Sequence, residues 1–298
     1  MRIAWELGQV VNPSVPDGHV SRTQRAGRVE NQGATAGTER SPLMNKQDEC
    51  SRGREIMEYS LWMRVLAECI GTAMLVLFGC GSIAAANLKG SKAKGAGWLN
   101  VSLGFGVAIG LPVMIFGGVS GAHLNPAITL ALAVYGQFKW AEVLPYILGQ
   151  LVGAFIGAAV VYFMYYPYFR KEEDPATIFG VFATNDANES KLNYFVSEFF
   201  ATMMLVLGIF GSLNMAGKTS KAAGFIMIVA LVAALIAAMG GPTGAAMNPA
   251  RDLMPRLFHQ MVPIAHKGGS RWGEAWIPVI APICGAICGY GIYFLFAR

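Results

Sequence analysis

Two seven-residue segments carry the side chains with the clearest chemistry. Gly121-Ala122-His123-Leu124-Asn125-Pro126-Ala127 and Gly244-Ala245-Ala246-Met247-Asn248-Pro249-Ala250 each run from small residues into asparagine, proline and alanine. Asparagine is a good N-cap and proline is favoured at the first helical position, so each Asn-Pro reads as a helix start. A helix N-terminus brings about +0.5 elementary charge, and an asparagine beside it adds amide N–H donors. Such groups donate hydrogen bonds and repel cations; they break no bonds. Arg251 follows the second segment, with Asp252 and Arg256 at a spacing that suits an ion pair on one helix face. Glu68-x-x-x-Thr72 recurs as Glu198-x-x-x-Thr202. Nothing among these residues pairs a nucleophile with a base, and the five cysteines have no metal-ligand or disulfide-framework spacing. The pattern argues against an enzyme and calls for no cofactor.

The elements that must position these residues are apolar. The chain has 298 residues, 54% of them hydrophobic, with 23 Lys/Arg and 18 Asp/Glu. Residues 1–64 hold 17 of those charges, leaving 24 for the other 234 residues, well under half the ~25% of a soluble domain. A net charge of +5 with no dense basic run gives nothing to track a phosphate backbone, so nucleic acid is not a partner. Lipid is the implied solvent. Six apolar stretches, Leu61–Ala86, Trp98–Gly118, Trp140–Tyr166, Leu192–Leu213, Ala222–Gly241 and Ala275–Phe296, each approach the ~20 residues of a spanning helix. Trp62, Trp98, Trp140, Trp272 and Trp276 lie near their ends, where amphipathic rings favour the interface. Glycines four apart (Gly149, Gly153 and Gly157; Gly106 and Gly110; Gly285 and Gly289) predict close helix packing. Basic residues divide evenly between the two sides and leave orientation open.

The chain repeats itself at an offset near 130, with repeat one at about 61–166 and repeat two at about 192–298. Each repeat holds three spanning stretches, an odd number, so the two must insert with opposite topology and share a path near the midplane. Asn125 to Val134 makes only ~15 Å of helix, half of the ~30 Å hydrocarbon thickness. Two such half-helices entering from opposite sides meet end to end. The expected fold is an all-α membrane protein of six transmembrane helices and two half-helices in an inverted 3+3 repeat. Residues 1–56 are polar and aperiodic, without the apolar core of a signal peptide, and read as a disordered leader or an upstream extension, Met44 and Met57 both being plausible starts. The channel domain is then 57–298. Asn188-Glu189-Ser190 is a glycosylation sequon.

With both motifs in order, the stretch from Leu61 to Arg298 resembles the major intrinsic protein family, the aquaporins and aquaglyceroporins. The resemblance implies an aquaporin-like right-handed bundle with a pore in each subunit of a homotetramer in the cell membrane, both termini cytoplasmic. Arg251-Asp252 with Arg256, and Pro278-Val279, resemble the glycerol branch. Carried over by offset, the selectivity ring is Phe105, Ile236, Ala245 and Arg251, and the pore motifs are Asn125, Pro126, Ala127, Asn248, Pro249 and Ala250. This ring matches neither the typical water-selective set nor the typical glycerol set; Ile236 and Ala245 give an apolar wall and volume opposite the donors of Arg251, which suits a small polyol. The resemblance thus implies passive passage of glycerol, related polyols, water and other small neutral solutes, with ions and protons excluded. A predominantly water-conducting channel, a closed-pore structural protein and a coupled transporter with inverted repeats are the rivals. His123 either lines the cytoplasmic vestibule or is a packed core histidine. Glu68 and Glu198, too costly in lipid to be idle, either brace the two loops or relay protons.

Overall fold

The computed structural model describes residues 59–218 and 220–296. The polar leader at 1–56, the candidate starts Met44 and Met57, and the last two residues lie outside the described residues. In chain order the helices are α1 (Leu61–Asn87), α2 (Gly97–Ser120), α3 (Pro126–Val134), α4 (Trp140–Phe169), α5 (Pro175–Phe182), α6 (Lys191–Lys218), α7 (Lys221–Met239), α8 (Pro249–Met261) and α9 (Ile277–Phe296). No strand occurs among the described residues. Six of these regions are long and apolar enough to cross a membrane. Their outer faces carry exposed Leu99, Leu144, Phe163, Leu192 and Ile226, whereas Glu68 and Glu198 inside the spans are fully buried. Arg64 at the start of α1 meets Glu142 at the start of α4 at 2.7 Å.

Each half of the chain contributes three long helices and one short one. The long helices pack where the glycine patterns lie. On α4, a side chain at Gly149 would come within 2.8 Å of the Val65 carbonyl and one at Gly157 within 2.6 Å of the Ala73 carbonyl. At Gly153, between them, a Cβ would run into the Cys69 carbonyl. In the second half, Gly285 and Gly289 of α9 lie in the same way against the carbonyls of Phe199 and Met203 on α6. A Cβ at Gly106 of α2 would come within 2.7 Å of the Val229 carbonyl of α7. Backbone-to-backbone approach of this kind is how helices gain packing energy where lipid removes the hydrophobic drive.

Gly153→Val should therefore lower stability by ~3 kcal/mol or more, because a carbonyl, unlike a side chain, cannot turn aside. Gly118→Val, at a position with open space around it, is the matched control. Thermal unfolding of the detergent-solubilised variants compares them, and equal midpoints would refute close packing at 153.

One element has no counterpart among the sequence expectations. α5 lies between the two halves, with Asp174 as N-cap accepting from Ala176 N and Thr177 N and Pro175 at the first helical position. Its sequence carries the same start signal as the half-helices, Asp-Pro in place of Asn-Pro.

Candidate functional site

The two half-helices, α3 and α8, meet at their N-termini. Asn125 Oδ1 caps its own helix by accepting from Ala127 N at 2.9 Å. Its Nδ2 donates across the junction to the Met247 carbonyl at 2.8 Å. Asn248 mirrors this: Oδ1 accepts from Ala250 N at 3.0 Å, and Nδ2 donates to the Leu124 carbonyl at 2.7 Å. Each amide spends its oxygen on a cap and one N–H on the opposite loop. The second N–H of each is the group left to donate elsewhere. Pro126 and Pro249 occupy the first helical positions, followed by buried Ala127 and Ala250.

The loops before the asparagines are held in a costly conformation. Ala122 (φ 47°), Leu124 (φ 53°), Ala245 (φ 48°) and Met247 (φ 49°) are all left-handed without being glycine. Each such residue costs roughly 1–2 kcal/mol and persists only where its surroundings over-determine it. The two glutamates supply that determination. Glu68 accepts from His123 N (2.9 Å), Leu124 N (2.7 Å), Ser120 Oγ (2.6 Å) and Gln150 Nε2 (2.8 Å). Glu198 accepts from Ala246 N (3.0 Å), Met247 N (2.8 Å) and Thr243 Oγ1 (2.7 Å). Both carboxylates are fully buried.

Only an acceptor satisfies three converging donors. Glu198→Gln turns an N–H toward them and should cost ~1–3 kcal/mol for the mismatch. The readout is the unfolding midpoint in detergent, and a midpoint equal to the parent's would show that the carboxylate does not hold the loop.

Arg251, on the first turn of α8, is held at one corner. Its Nη1 donates to the Phe182 carbonyl at 2.9 Å and contacts Cys80 Sγ at 3.5 Å. Its guanidinium carbon stands 4.9 Å from the centre of the Phe105 ring. Nε and Nη2 are buried and have no hydrogen-bond partner in the protein. Ile236 and Ala245 are buried in the same apolar cluster as Phe105. The Ile236 carbonyl accepts from Trp98 Nε1 at 2.7 Å, which fixes the end of α7 against α2. Of the four residues assigned to the ring by offset, Phe105 and Arg251 are thus in contact, and the other two share the apolar cluster of Phe105.

Asp252 and Arg256 form a fully buried ion pair at 2.8 Å, the i,i+4 arrangement read from their spacing. They also fasten the loops that carry Thr184, Ser270 and Arg271. Asp252 accepts from Thr184 N and Thr184 Oγ1, both at 2.7 Å. Arg256 donates to the carbonyls of Thr184 (2.7 Å), Ser270 (3.0 Å) and Arg271 (3.2 Å). Thr184 lies two residues beyond Phe182, so this clamp also sets the carbonyl that holds Arg251. Ahead of α5, Glu172 clasps the same connection by accepting from Lys89 N at 2.9 Å and from Glu173 N and Asp174 N. Burial works against that carboxylate, but the N–H donors of Lys89, Asp174 and Glu173 outweigh it and hold its pKa below the ordinary carboxylate range. The clasp is therefore complete at neutral pH and is withdrawn only in acid, as pH falls through the lowered value.

His123 is both packed and partly exposed. Its Nδ1 lies 3.2 Å from Thr129 Oγ1, and its ring sits 4.8 Å from Phe138 and 5.2 Å from Tyr146. The sequence reading missed Cys80, Gln150, Phe182 and Thr184. Ser120 and Thr243 were findable, because each stands one residue before its Gly-Ala segment at the same offset in both repeats.

The profile of the major intrinsic protein family matches residues 55–293. The chain belongs to the major intrinsic protein family. Within that family it is similar to glycerol uptake facilitator protein-like 5 of Lactiplantibacillus plantarum, 43% identical over 78% of this chain and 96% of that protein. It is also similar to the glycerol uptake facilitator protein of Bacillus subtilis, 42% identical over 76% of this chain and 82% of that protein. The solved structure of the aquaglyceroporin from Plasmodium falciparum superposes with a TM-score of 0.68 at 24% identity, covering 78% of this chain and 96% of that one. The expected fold, six spanning helices and shorter ones in a major intrinsic protein, is the observed one, and the protein is a multi-pass membrane protein.

Proposed function

We propose that this protein is a passive channel for glycerol, related small polyols and water that excludes ions and protons. The observation that carries the reading is the state of Arg251. One corner of its guanidinium is fixed by Phe182, its face lies against Phe105, and Nε and Nη2 are left unpartnered. A polyol has hydroxyls along one edge and CH groups along the other. Fixed donors opposite the apolar Phe105, Ile236 and Ala245 match both edges at once. The similarity to proteins named glycerol uptake facilitators supports the same solute.

Deeper in, the solute loses its remaining water where the half-helix N-termini meet. Asn125 and Asn248 each offer an N–H there, replacing hydration hydrogen bonds. Cations meet two positive helix ends and Arg251 together, an electrostatic barrier of the kind general to aquaporin-type pores. Glu68 and Glu198 brace the loops; with every oxygen already accepting, neither is placed as a proton relay. His123 contributes to the inner vestibule. The assembly we propose is a homotetramer in the cell membrane, its apolar outer faces against lipid and neighbouring subunits, with both termini cytoplasmic.

A coupled transporter of similar repeat architecture would concentrate its solute. Proteoliposomes loaded with a proton or sodium gradient and radiolabelled glycerol test this. Equilibration without uphill accumulation is expected, and accumulation above the external concentration would overturn the channel reading.

A further inference from the structure

α1 contributes no residue to the ring assigned by offset, yet two consecutive α1 residues stand directly behind it. Cys80 is fully buried, with its Sγ 3.5 Å from Arg251 Nη1. Gly79 lies under Phe105, and a Cβ at that position would run into the edge of the Phe105 ring. The same ring lies 4.9 Å from the Arg251 guanidinium carbon. Gly79 thus backs the aromatic member of the ring, and Cys80 backs the cationic one.

The hydrogen-bond inventory of Arg251 shows why the backing matters. A guanidinium has five N–H groups in a rigid fork. Here Nη1 alone reaches protein acceptors, the Phe182 carbonyl and Cys80 Sγ, while Nε and Nη2 have none. A fork held by one carbonyl can pivot about that bond. The thiol is a weak acceptor, so its contribution is less energy than direction and bulk. It occupies the space into which the guanidinium would otherwise retreat. On the opposite side, the missing side chain at Gly79 lets Phe105 sink toward α1 and keeps the aromatic ring back from the path.

We propose that Gly79-Cys80 is a positioning element for solute selection: Cys80 sets how far Arg251 projects toward the permeating solute, and Gly79 sets how far Phe105 recedes. The proposal rests on the ring reading given above. It makes α1 an element that tunes the size of polyol admitted, through two ring residues rather than by contact with solute.

The two positions should act with opposite sign. Cys80→Ala opens space behind Arg251 and should raise the erythritol-to-glycerol permeability ratio by ~3-fold, a barrier difference of about 0.65 kcal/mol. Cys80→Ser keeps an acceptor for Nη1 and should hold the ratio near the parent's. Gly79→Ala pushes Phe105 inward and should lower glycerol flux relative to water by ~3-fold. All are read as solute and water permeabilities on the same proteoliposome preparations, with Ala245→Phe as the control for the ring itself. A packing role alone would lower all fluxes together and leave the ratios fixed. Either alanine variant decides the matter if the other fails to fold. Should the ratios stay at parent values while Ala245→Phe lowers glycerol flux, the ring reading stands and the role of Gly79-Cys80 is refuted. If Ala245→Phe also leaves glycerol flux unchanged, the ring is misplaced and both fall.

Discussion

Arg251→Val should raise proton or monovalent-cation leak by at least ~10-fold. The charge of Arg251 is buried and its Nε and Nη2 have no protein partner, so its field acts on whatever enters beside it. A buried charge interacts far more strongly than one in water because solvent does not screen it. Valine removes that charge and leaves the space beside Phe105 apolar. The half-helix termini at Asn125 and Asn248 remain, each worth about half an elementary charge, so the barrier is weakened rather than abolished. Leak is measured with a pH-sensitive dye inside proteoliposomes under an imposed proton gradient. A variant as ion-tight as the parent would show that the helix termini alone carry the barrier.

The second large effect lies at the ring wall. Ile236→His combined with Ala245→Cys should lower glycerol flux by at least ~10-fold, a barrier rise of ~1.4 kcal/mol, while water flux changes far less. Backbone shifts will not absorb the added bulk easily. The Ile236 carbonyl is bound by Trp98, and Ala245 sits in a left-handed loop residue held through its neighbour Ala246 by Glu198. New side-chain volume and polarity therefore project against Phe105. Glycerol fills a constriction of its own width, whereas water needs only a single-file path. Equal loss of both fluxes would indicate a damaged fold, and unchanged glycerol flux would mean that the offsets misplace the wall.

Those features that sequence revealed share a cause: each depends on a short, local rule. The half-helix start at Pro126 follows from Asn-Pro, and glycines spaced by four marked the faces that now meet carbonyls of Val65, Cys69 and Ala73. The Asp252–Arg256 pair needed only i,i+4 geometry. What sequence did not reveal depends on distant partners. Phe182 holds Arg251 through a backbone carbonyl, so its side-chain identity carries no trace of the role. Cys80 reads as one more apolar residue in α1 until α8 is laid beside it. Asn125 and Asn248 were legible as caps, but their crossed donation to Met247 and Leu124 requires both halves in place. α5 had a legible start at Asp174-Pro175 and was missed because its eight residues fall far below a spanning length.

Stopped-flow light scattering on proteoliposomes of the full chain, with water, glycerol and urea gradients compared on one preparation, tests passive polyol conduction most directly. The expected result is glycerol entry well above that of protein-free vesicles and water flux elevated on the same preparation, with no proton leak under the same conditions. Glycerol entry equal to that of protein-free vesicles, alongside elevated water flux, would contradict it and leave a channel for water alone.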